Sequence, residues 1–497
     1  MISPDLVARA VAQIRKSAAN YEYFFESLSS PEWLEPLRDA GFFVAPPEPV
    51  REGKYVSFPG WPESRYLARM AAVESAGQVV YSIASKIPPT ENVRVYHDLA
   101  EIALALPAEL GARFVSAAKA WIASPYQLLI PEQVGKLVHR LAEHGKIRAA
   151  LDLAKTLLEL VPESPDADAH ARREVRAHFD VWHYEKILHE HVPALVQAAG
   201  ERALEMMCDV LASAVALSTR KGSGDEWEDY SWIWHPAIED HSQNSGRTAK
   251  DALVAGVRDA AEQVVRGNLT ALPRVVAELD SRRWVIFRRI ALHLLATFPE
   301  GSGDIAEGKL TDPKLFGDLS VRHEYYRVAH AWFAGLSPPA QEKLLSFVEQ
   351  GPDMQQGARW LTDALRREPS EDELVRYQRV WQLKQLAALK HALPPAWAER
   401  YREWSTKYGE PEHPDFSAYH SSGWVGASSP RTGEELRLLS VPELAEYLKT
   451  WQPSGGWGAP SREGLGNVLQ ALVASDPATY VAGAEHLRSV PPIFIRA

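Results

Sequence analysis

Helical periodicity of apolar residues is the feature that most limits how this chain can fold. Between Pro131 and Gly145, apolar residues recur three and four positions apart, which places one apolar stripe along a helix. These residues are Val134, Leu137, Val138, Leu141 and Ala142. The same spacing resumes from Ile147 to Val161, and Gly145 separates the two stretches. We therefore predict an αα-hairpin here.

A second helix pair is predicted directly before this one, through Val95–Leu106 and then from Pro107 to Trp121. Runs with the period-two alternation of strands are scarce, apart from short pieces such as Lys54–Phe58. The tandem pairs predict an all-α fold, namely an α-solenoid of antiparallel helix pairs with irregular loops rich in Pro, Gly and Trp. No strict motif recurs at a fixed period, so HEAT-like and tetratricopeptide-like repeats both stay open.

Prolines recur where helices are expected to begin. In the first turn of a helix, the missing N–H of proline costs nothing and its fixed φ suits the helix. The prolines at such positions are Pro4, Pro31, Pro131, Pro338 and Pro442. Ser3 and Ser30 precede two of them and are predicted N-caps.

Stretches rich in proline and glycine divide the chain into five predicted segments. These are an N-terminal helical cap with an extended Pro-rich linker (1–60), a first helical-repeat lobe (61–220), an irregular linker (221–246), a second helical-repeat lobe (247–408) and a loop-rich helical C-terminal segment (409–497). The last segment ends on the apolar stretch 491–497, whereas a solenoid normally closes with a polar cap. We therefore expect a partner to cover this end, or the chain to continue beyond it.

Composition favours a folded, acidic protein. The 497 residues are 46% apolar and 24% charged, close to the average of globular proteins. The 65 acidic residues outnumber the 54 basic ones, and the net charge of −11 makes nucleic acid a poor default partner. The sequence has neither a secretory signal pattern nor an apolar run long enough to cross a bilayer, so we expect a cytoplasmic protein. The single cysteine, Cys208, has helical spacing with apolar residues and is predicted to lie in the core.

Familiar enzyme signatures are missing from the sequence. There is no G-x-x-x-x-G-K-[ST] loop, no G-x-G-x-x-G after a strand, no H-E-x-x-H and no G-x-S-x-G. One cysteine cannot form a C-x-x-C metal pair. We therefore expect no catalytic residues and no cofactor.

The strongest metal candidate is the set His235, Glu239 and His241, because imidazole and carboxylate groups are ligands for zinc and iron. Pro236 follows His235, which places that histidine at or before a helix start and removes regular ligand spacing. A helix cap or an interhelical polar contact is the other interpretation, and we prefer it.

A second set, His178, Glu185 and His189, falls at i, i+7 and i+11 and would share one face of a helix. The chain has 17 histidines, so chance alignment is easy. We interpret this set as a solvated or interhelical polar face.

One basic-aromatic cluster, at residues 282–289, has the side chains that stack a base and bind phosphate. Its arginines are Arg282, Arg283, Arg288 and Arg289. On a helix, Trp284 and Phe287 would form an apolar face with the arginines beside or opposite it. We therefore predict a buried aromatic face with snorkelling arginines, and nucleic-acid binding stays an alternative.

Several of the 16 tryptophans lie in or beside predicted loops. Trp232, Trp234, Trp424 and Trp457 are the candidate binding residues, because loop aromatics can be binding hot spots. The other interpretation, which we favour, is that loop tryptophans fix long loops to the helical body.

Five stretches resemble the helical C-terminal portions of large bacterial proteins. They are Ala19–Phe25, Trp61–Met70, Trp234–His241, His323–Tyr326 and Ser461–Leu465. The architecture is similar to the sensor halves of antiphage proteins of the signal-transducing ATPase class. That resemblance implies helical repeats that recognise a phage component while a separate ATPase assembles an effector. This chain lacks the ATPase motifs, so no catalytic residue is carried over.

The expected function is a non-catalytic helical-repeat scaffold or sensor that binds protein partners, as a subunit of a larger complex and in an antiphage setting. The alternative is a metal-dependent hydrolase or nuclease with a site near His235, Glu239 and His241. A third possibility is a nucleic-acid-binding solenoid that uses the 282–289 cluster.

Overall fold

Helices make up almost all regular structure of the chain. The computed structural model describes residues 2–127, 129–163, 174–219, 229–244, 246–416, 419, 429–453 and 460–496. Helix accounts for 69% of the structure and strand for 2%, which confirms the all-α prediction. No helix in these ranges is both long and apolar enough to cross a membrane. The chain forms two compact units, Met1–Ser417 and Ala418–Ala497. The five-segment division within them stays a prediction.

In the described ranges, the first part of the larger unit holds ten helices and a small hairpin. The helices are α1 Pro4–Ile14, α2 Ala18–Ser27, α3 Leu34–Asp39, α4 Pro62–Ala71, α5 Gly77–Ala84, α6 Val93–Ala105, α7 Ala108–Gly111, α8 Val115–Ile122, α9 Ile130–Glu143 and α10 Ile147–Leu158. Strands β1 (Val50–Glu52) and β2 (Tyr55–Ser57) pair antiparallel inside the predicted Pro-rich linker.

The remainder of the larger unit begins with a second strand pair, β3 (Val161–Pro162) with β4 (Val175–Arg176). Its helices are α11 Val181–Glu190, α12 Val192–Ala199, α13 Glu201–Ser218, α14 Ser231–Trp234, α15 Ala249–Gly267, α16 Leu272–Ser281, α17 Val285–Thr297, α18 Gly303–Leu310, α19 Pro313–Gly317, α20 Arg322–Trp332, α21 Pro338–Gln350, α22 Met354–Leu365, α23 Glu371–Ala387 and α24 Pro395–Tyr408.

The smaller unit has its own apolar core, built from Leu436, Leu444, Leu448, Leu465 and Leu469. Its helices are α25 Gly433–Arg437, α26 Val441–Thr450, α27 Arg462–Ser475, α28 Pro477–Ala482, α29 Ala484–Leu487 and α30 Pro492–Arg496.

The predicted αα-hairpin is confirmed. Helices α9 and α10 pack on each other, and Gly145 between them has φ of +70°, a left-handed conformation that favours glycine. The stripe from Val134 to Ala142 is buried. Each of the five prolines lies in the first turn of a helix or 3₁₀ turn, and Ser3 and Ser30 are N-caps as predicted.

Two predicted helices differ from the structure. The stretch from Pro107 to Trp121 is not one helix, because α7 passes through a 3₁₀ turn, Ala112–Phe114, before α8 begins. The predicted face of His178, Glu185 and His189 is also wrong, since α11 begins at Val181 and His178 precedes it. The N-cap Asp180 accepts a hydrogen bond from the His183 N–H and so sets that start.

Segment 229–244, part of the predicted irregular linker, is packed into the larger unit. After the single turn α14, the chain continues without regular structure, yet Ala237 and Ile238 have no exposed surface. Helices α15, α17 and α20 pack near this segment, with α17 in contact with α14, α15 and α20. The backbone polar groups of such a buried segment need partners, and side chains of these helices supply them.

Candidate functional site

A buried ion pair between α17 and α20 fixes the segment that follows α14. Arg289 Nε lies 2.8 Å from Glu324 Oε2, and Arg289 Nη2 lies 2.7 Å from Glu324 Oε1. The same guanidinium donates to the carbonyls of His235 and Pro236, at 2.7 and 2.8 Å. Glu324 Oε1 accepts the Ile238 N–H at 3.1 Å. Two buried charges thus neutralise each other while they satisfy the backbone of an irregular segment.

A histidine between two carboxylates lies beside this pair. His323 Nε2 is 2.7 Å from Glu239 Oε1, and His323 Nδ1 is 2.7 Å from Asp415 Oδ2. The Phe416 ring packs on the imidazole, with 4.3 Å between the ring centroids. Burial lowers the pKa of His323, but the two carboxylates outweigh burial and raise it to about 9. His323 is therefore a cation at neutral pH.

The carboxylate of Glu239 extends the network towards α15. Its Oε2 accepts from Arg327 Nη1 at 2.8 Å, and the same nitrogen lies 2.8 Å from His293 Nδ1. His293 Nε2 is 2.8 Å from Glu262 Oε1. Burial raises the pKa of Glu239, but the charges and hydrogen bonds of His323 and Arg327 outweigh it and lower the pKa to about 2. The polar groups pair with one another, as a structural network requires.

The three metal candidates do not converge on one ligand position, although Glu239 and His241 both lie beside His323. His235 Nδ1 is 3.1 Å from Asp251 Oδ1, whereas Glu239 pairs with His323 and Arg327. The His241 ring packs 5.1 Å from the Phe416 centroid. The ligand atoms of His235, Glu239 and His241 do not gather within 4.8 Å of one another. The hydrolase alternative therefore has no assembled ligand set in the part of the chain that the structure describes.

The four arginines of the 282–289 cluster are engaged with separate protein groups. Arg282 and Arg283 precede α17, because Trp284 caps that helix, so the predicted single helix face is wrong. Arg282 binds Asp209 and Glu278, and Arg288 lies 3.8 Å from Asp318. Arg283 lies over the Trp284 ring, 5.0 Å from its centroid. Arg289 does not snorkel to solvent, since its side chain is fully buried against Glu324.

Of the four candidate tryptophans, Trp424 and Trp457 lie outside the described residues. Trp232 and Trp234 are half-buried. The Trp234 ring packs on the apolar core, and Lys250 Nζ lies 4.0 Å from its centroid. This packing supports the interpretation that Trp234 fixes its loop to the helical body.

An open groove between α22 and α23 is lined by an exposed tryptophan and two further aromatic side chains of α23. We call it the aromatic-basic groove; it has a volume of about 730 Å³. Its lining residues are Arg322, Gln356, Trp360, Leu361, Leu365, Glu373, Arg376, Tyr377, Val380, Trp381, Lys384 and Tyr408. Trp360 is 61% exposed, and its ring lies 6.2 Å from that of Tyr377. The groove therefore offers exposed apolar surface to a partner.

Local sequence explains why α22 leaves this surface open. Of its residues only Gly357 is buried, so the helix touches the protein through one narrow strip. A Cβ at Gly357 would lie 2.4 Å from Tyr377 Cε1, which means that glycine lets α22 approach α23. The apolar residues Leu361 and Leu365 then border the groove.

The charges around the groove are predominantly basic. Glu373, its one carboxylate, already pairs with Arg367 at 2.7 Å and caps α23. Among the described residues, neither Arg376 nor Lys384 has an ion-pair partner, and both are exposed. An acidic segment would meet uncompensated cations here.

This groove was not predicted from the sequence, because Trp360 lies within a regular helix and not in a loop, where exposed tryptophans are expected. A usable signal was present in α23, where Tyr377 and Trp381 are one helical turn apart with Arg376 and Lys384 adjacent.

A second cluster of interest lies on α6. His97, Asp98 and Glu101 offer ligand atoms within 4.8 Å of one another, and they form the one such group in the described ranges. Their cavity is separate from the aromatic-basic groove.

Comparison with protein-family models, with curated proteins and with solved structures finds no match for this chain.

Proposed function

We propose that the chain is a non-catalytic helical scaffold or sensor that binds an acidic, aromatic- or aliphatic-containing segment of a partner protein in the aromatic-basic groove. The observation that carries the proposal is the exposed Trp360 beside Tyr377, flanked by Arg376 and Lys384, which form no ion pair with any residue that the structure describes. Trp, Tyr and Arg are the residue types that dominate binding energy at protein interfaces.

The energetics favour occupation of the groove. An exposed tryptophan beside other apolar side chains leaves apolar surface in water, and burial of such surface stabilises a complex by about 25 cal/mol per Å². The chain as a whole has a net charge of −11, so acidic partners would not be attracted over long distances. Recognition would therefore depend on short-range contacts with Arg376 and Lys384, which gives selectivity for segments that also carry an apolar anchor.

A solenoid arrangement of the helices forms part of the proposal. Helix α9 packs on α6, α10 and α12, α15 on α11 and α13, and α23 on α22 and α24. Contacts that join helices close together in the chain are typical of repeat arrays, which present extended surfaces for partners. The antiphage setting is proposed on the resemblance described above, with the partner segment belonging to a phage component or to an effector chain.

The test is selection from a random peptide library on the purified full-length chain. We expect enrichment of peptides that combine Asp or Glu with an aromatic or aliphatic residue. Trp360→Ala should abolish that enrichment. The double variant Arg376→Glu/Lys384→Glu should instead select basic peptides, because the groove charge is reversed.

Matched controls come from α10 and α11. Trp182 is 62% exposed but lies outside the groove, so Trp182→Ala should leave the selected peptides unchanged. Arg148 is exposed on α10, and Arg148→Glu should also have no effect. Enrichment that survives Trp360→Ala, or a preference that ignores the charge reversal, would refute the proposed groove.

A further inference from the structure

A second cavity, distant in sequence from the aromatic-basic groove, lies where α4, α6 and α9 meet. Its volume is about 840 Å³, which falls in the range of pockets that hold small molecules. Four cationic side chains line it, namely Arg65 and Arg69 from α4 and Lys136 and Arg140 from α9. Helix α6, which packs on both α4 and α9, contributes His97, Asp98 and Glu101. We call this the α4-α6-α9 cavity.

The cations of this cavity are incompletely neutralised. Within the described ranges, Arg65 forms neither an ion pair nor a side-chain hydrogen bond. Arg69 binds backbone carbonyls of Phe25 and Leu28, which are uncharged. Lys136 shares the single carboxylate of Glu132 with Lys186.

The guanidinium of Arg140 is only partly satisfied by hydrogen bonds. Its Nη2 donates to the Leu106 carbonyl at 3.3 Å, but its Nε is buried without a partner. This Nε is out of reach of a ligand, so an anion in the cavity would bind the other guanidinium N–H groups of Arg140. The cavity therefore combines excess positive charge with three arginines that have no carboxylate partner within the described ranges.

The α6 side of the cavity accepts hydrogen bonds. Asp98 is 7% exposed and takes one hydrogen bond from the Ser64 hydroxyl, which leaves its other oxygen for a further donor. That oxygen lies 4.0 Å from His97 Nδ1, and Glu101 Oε1 lies 4.0 Å from His97 Nε2. Glu101 is about half-exposed at the cavity surface. Hydroxyl groups of a ligand would find carboxylate acceptors on this side.

We propose that the α4-α6-α9 cavity binds a small phosphorylated polyol, such as a sugar phosphate, with the phosphate against Arg65 and Arg140 and the hydroxyl groups against Asp98 and Glu101. Guanidinium groups bind phosphate through paired N–H donors, and a cleft lined with cations concentrates anions even in an acidic protein. Free phosphate would contact the arginines but leave the carboxylates without a partner, and a neutral polyol would contact the carboxylates but leave the arginines without one. A phosphorylated polyol uses both sets of side chains. This binding site does not depend on the proposed partner groove.

The test is isothermal titration of the full-length chain with ribose 5-phosphate, inorganic phosphate and ribose. We expect one site, with ribose 5-phosphate bound at least about tenfold more tightly than either fragment. Arg65→Gln should weaken the binding of ribose 5-phosphate about tenfold or more, because it removes a charge that contacts the phosphate. The fold should be unaffected, since Arg65 forms no ion pair within the described ranges. Glu101→Gln should reduce the advantage of ribose 5-phosphate over inorganic phosphate.

Controls separate loss of the site from loss of the fold. Arg148→Gln removes an exposed cation elsewhere in the same unit and should leave binding unchanged. Thermal unfolding of each variant checks that the fold is retained, and Arg140→Gln repeats the test on a second cation. No binding of ribose 5-phosphate at about 10 mM would overturn the proposal, as would unchanged binding in both arginine variants. Stoichiometric Mn²⁺ binding that Glu101→Gln abolishes, without any sugar-phosphate binding, would also overturn it in favour of a cation site.

Discussion

Arg289 and Glu324 form an ion pair in which neither side chain has any exposed surface. Two hydrogen bonds join them, and each also binds backbone groups of the segment after α14. Removal of two charges from water is costly, and only complete pairing with further hydrogen bonds offsets it. Residues 235–238 are therefore held in place only when α17 and α20 are packed together.

Replacement of Glu324 by glutamine should destabilise the larger unit strongly. The Arg289 charge would remain buried without a counterion, and such losses cost about 3–5 kcal/mol. Urea unfolding monitored by circular dichroism measures the change. The matched control is Glu349→Gln, which breaks a half-exposed pair with Arg400 at 2.6 Å and should cost no more than about 1 kcal/mol. Equal effects of the two substitutions would contradict the role assigned to the buried pair.

The sequence predicted local features of this region but not its long-range pairing. Prolines, N-cap serines and Gly145 act within one turn of the chain, so helix starts and stops were predictable from neighbouring residues. Helical spacing alone predicts a solvent-facing position for Arg289, and this prediction is wrong. Its carboxylate partner is 35 residues away in the sequence, and its carbonyl acceptors lie more than 50 residues before it. Periodicity carries no information about such partners.

The His323 network should make stability depend on pH above neutrality. The folded pKa of His323 is raised to about 9 from 6.5, so its protonated form favours the folded state. This contribution is complete below pH 6.5 and is lost as pH rises through 9, which corresponds to about 3 kcal/mol. We expect the free energy of unfolding to fall across this window in the native chain.

His323→Gln isolates that contribution. The variant should lose stability at pH 6.5, and the difference from the native chain should shrink towards pH 9.5. Urea unfolding at about half-unit steps of pH gives both curves, and their difference removes the pH dependence of all other groups. A difference that stays constant with pH would show that the imidazole charge does not stabilise the fold.

The contact between α22 and α23 should be sensitive to one methyl group. At Gly357 a Cβ would lie 2.4 Å from Tyr377 Cε1, so Gly357→Ala should cost about 1–3 kcal/mol despite the better helix propensity of alanine. Gly308 on α18 is the matched control, since no atom lies within 4 Å of its Cβ position. Gly308→Ala should stabilise by about 0.5–1 kcal/mol in the same thermal unfolding assay. If both substitutions stabilise the chain, the close packing of α22 on Tyr377 is refuted.

The exposure of the apolar face of α22 could not be predicted from the sequence. The pattern of α22 is amphipathic, which predicts one buried apolar face, yet Trp360 and Leu365 are exposed. A sequence shows that an apolar stripe exists but not whether the same chain covers it. Nothing in the sequence distinguishes the exposed Trp360 from a buried residue of the same stripe. For Cys208 the helical spacing predicts burial, and the residue is fully buried.

Burial should make the thiol of Cys208 unreactive in the folded chain. The residue lies on α13 without exposed surface, and burial raises its pKa to about 12, so almost no thiolate forms at neutral pH. Labelling by a maleimide at pH 7.5 then requires opening of the structure, and we expect a rate at least about 100-fold slower than in concentrated urea. The control is Ser213→Cys in a Cys208→Ala background, because Ser213 is exposed on the same helix and its thiol should react at once. Rapid labelling of native Cys208 would show that α13 opens far more readily than its packing against α15 indicates.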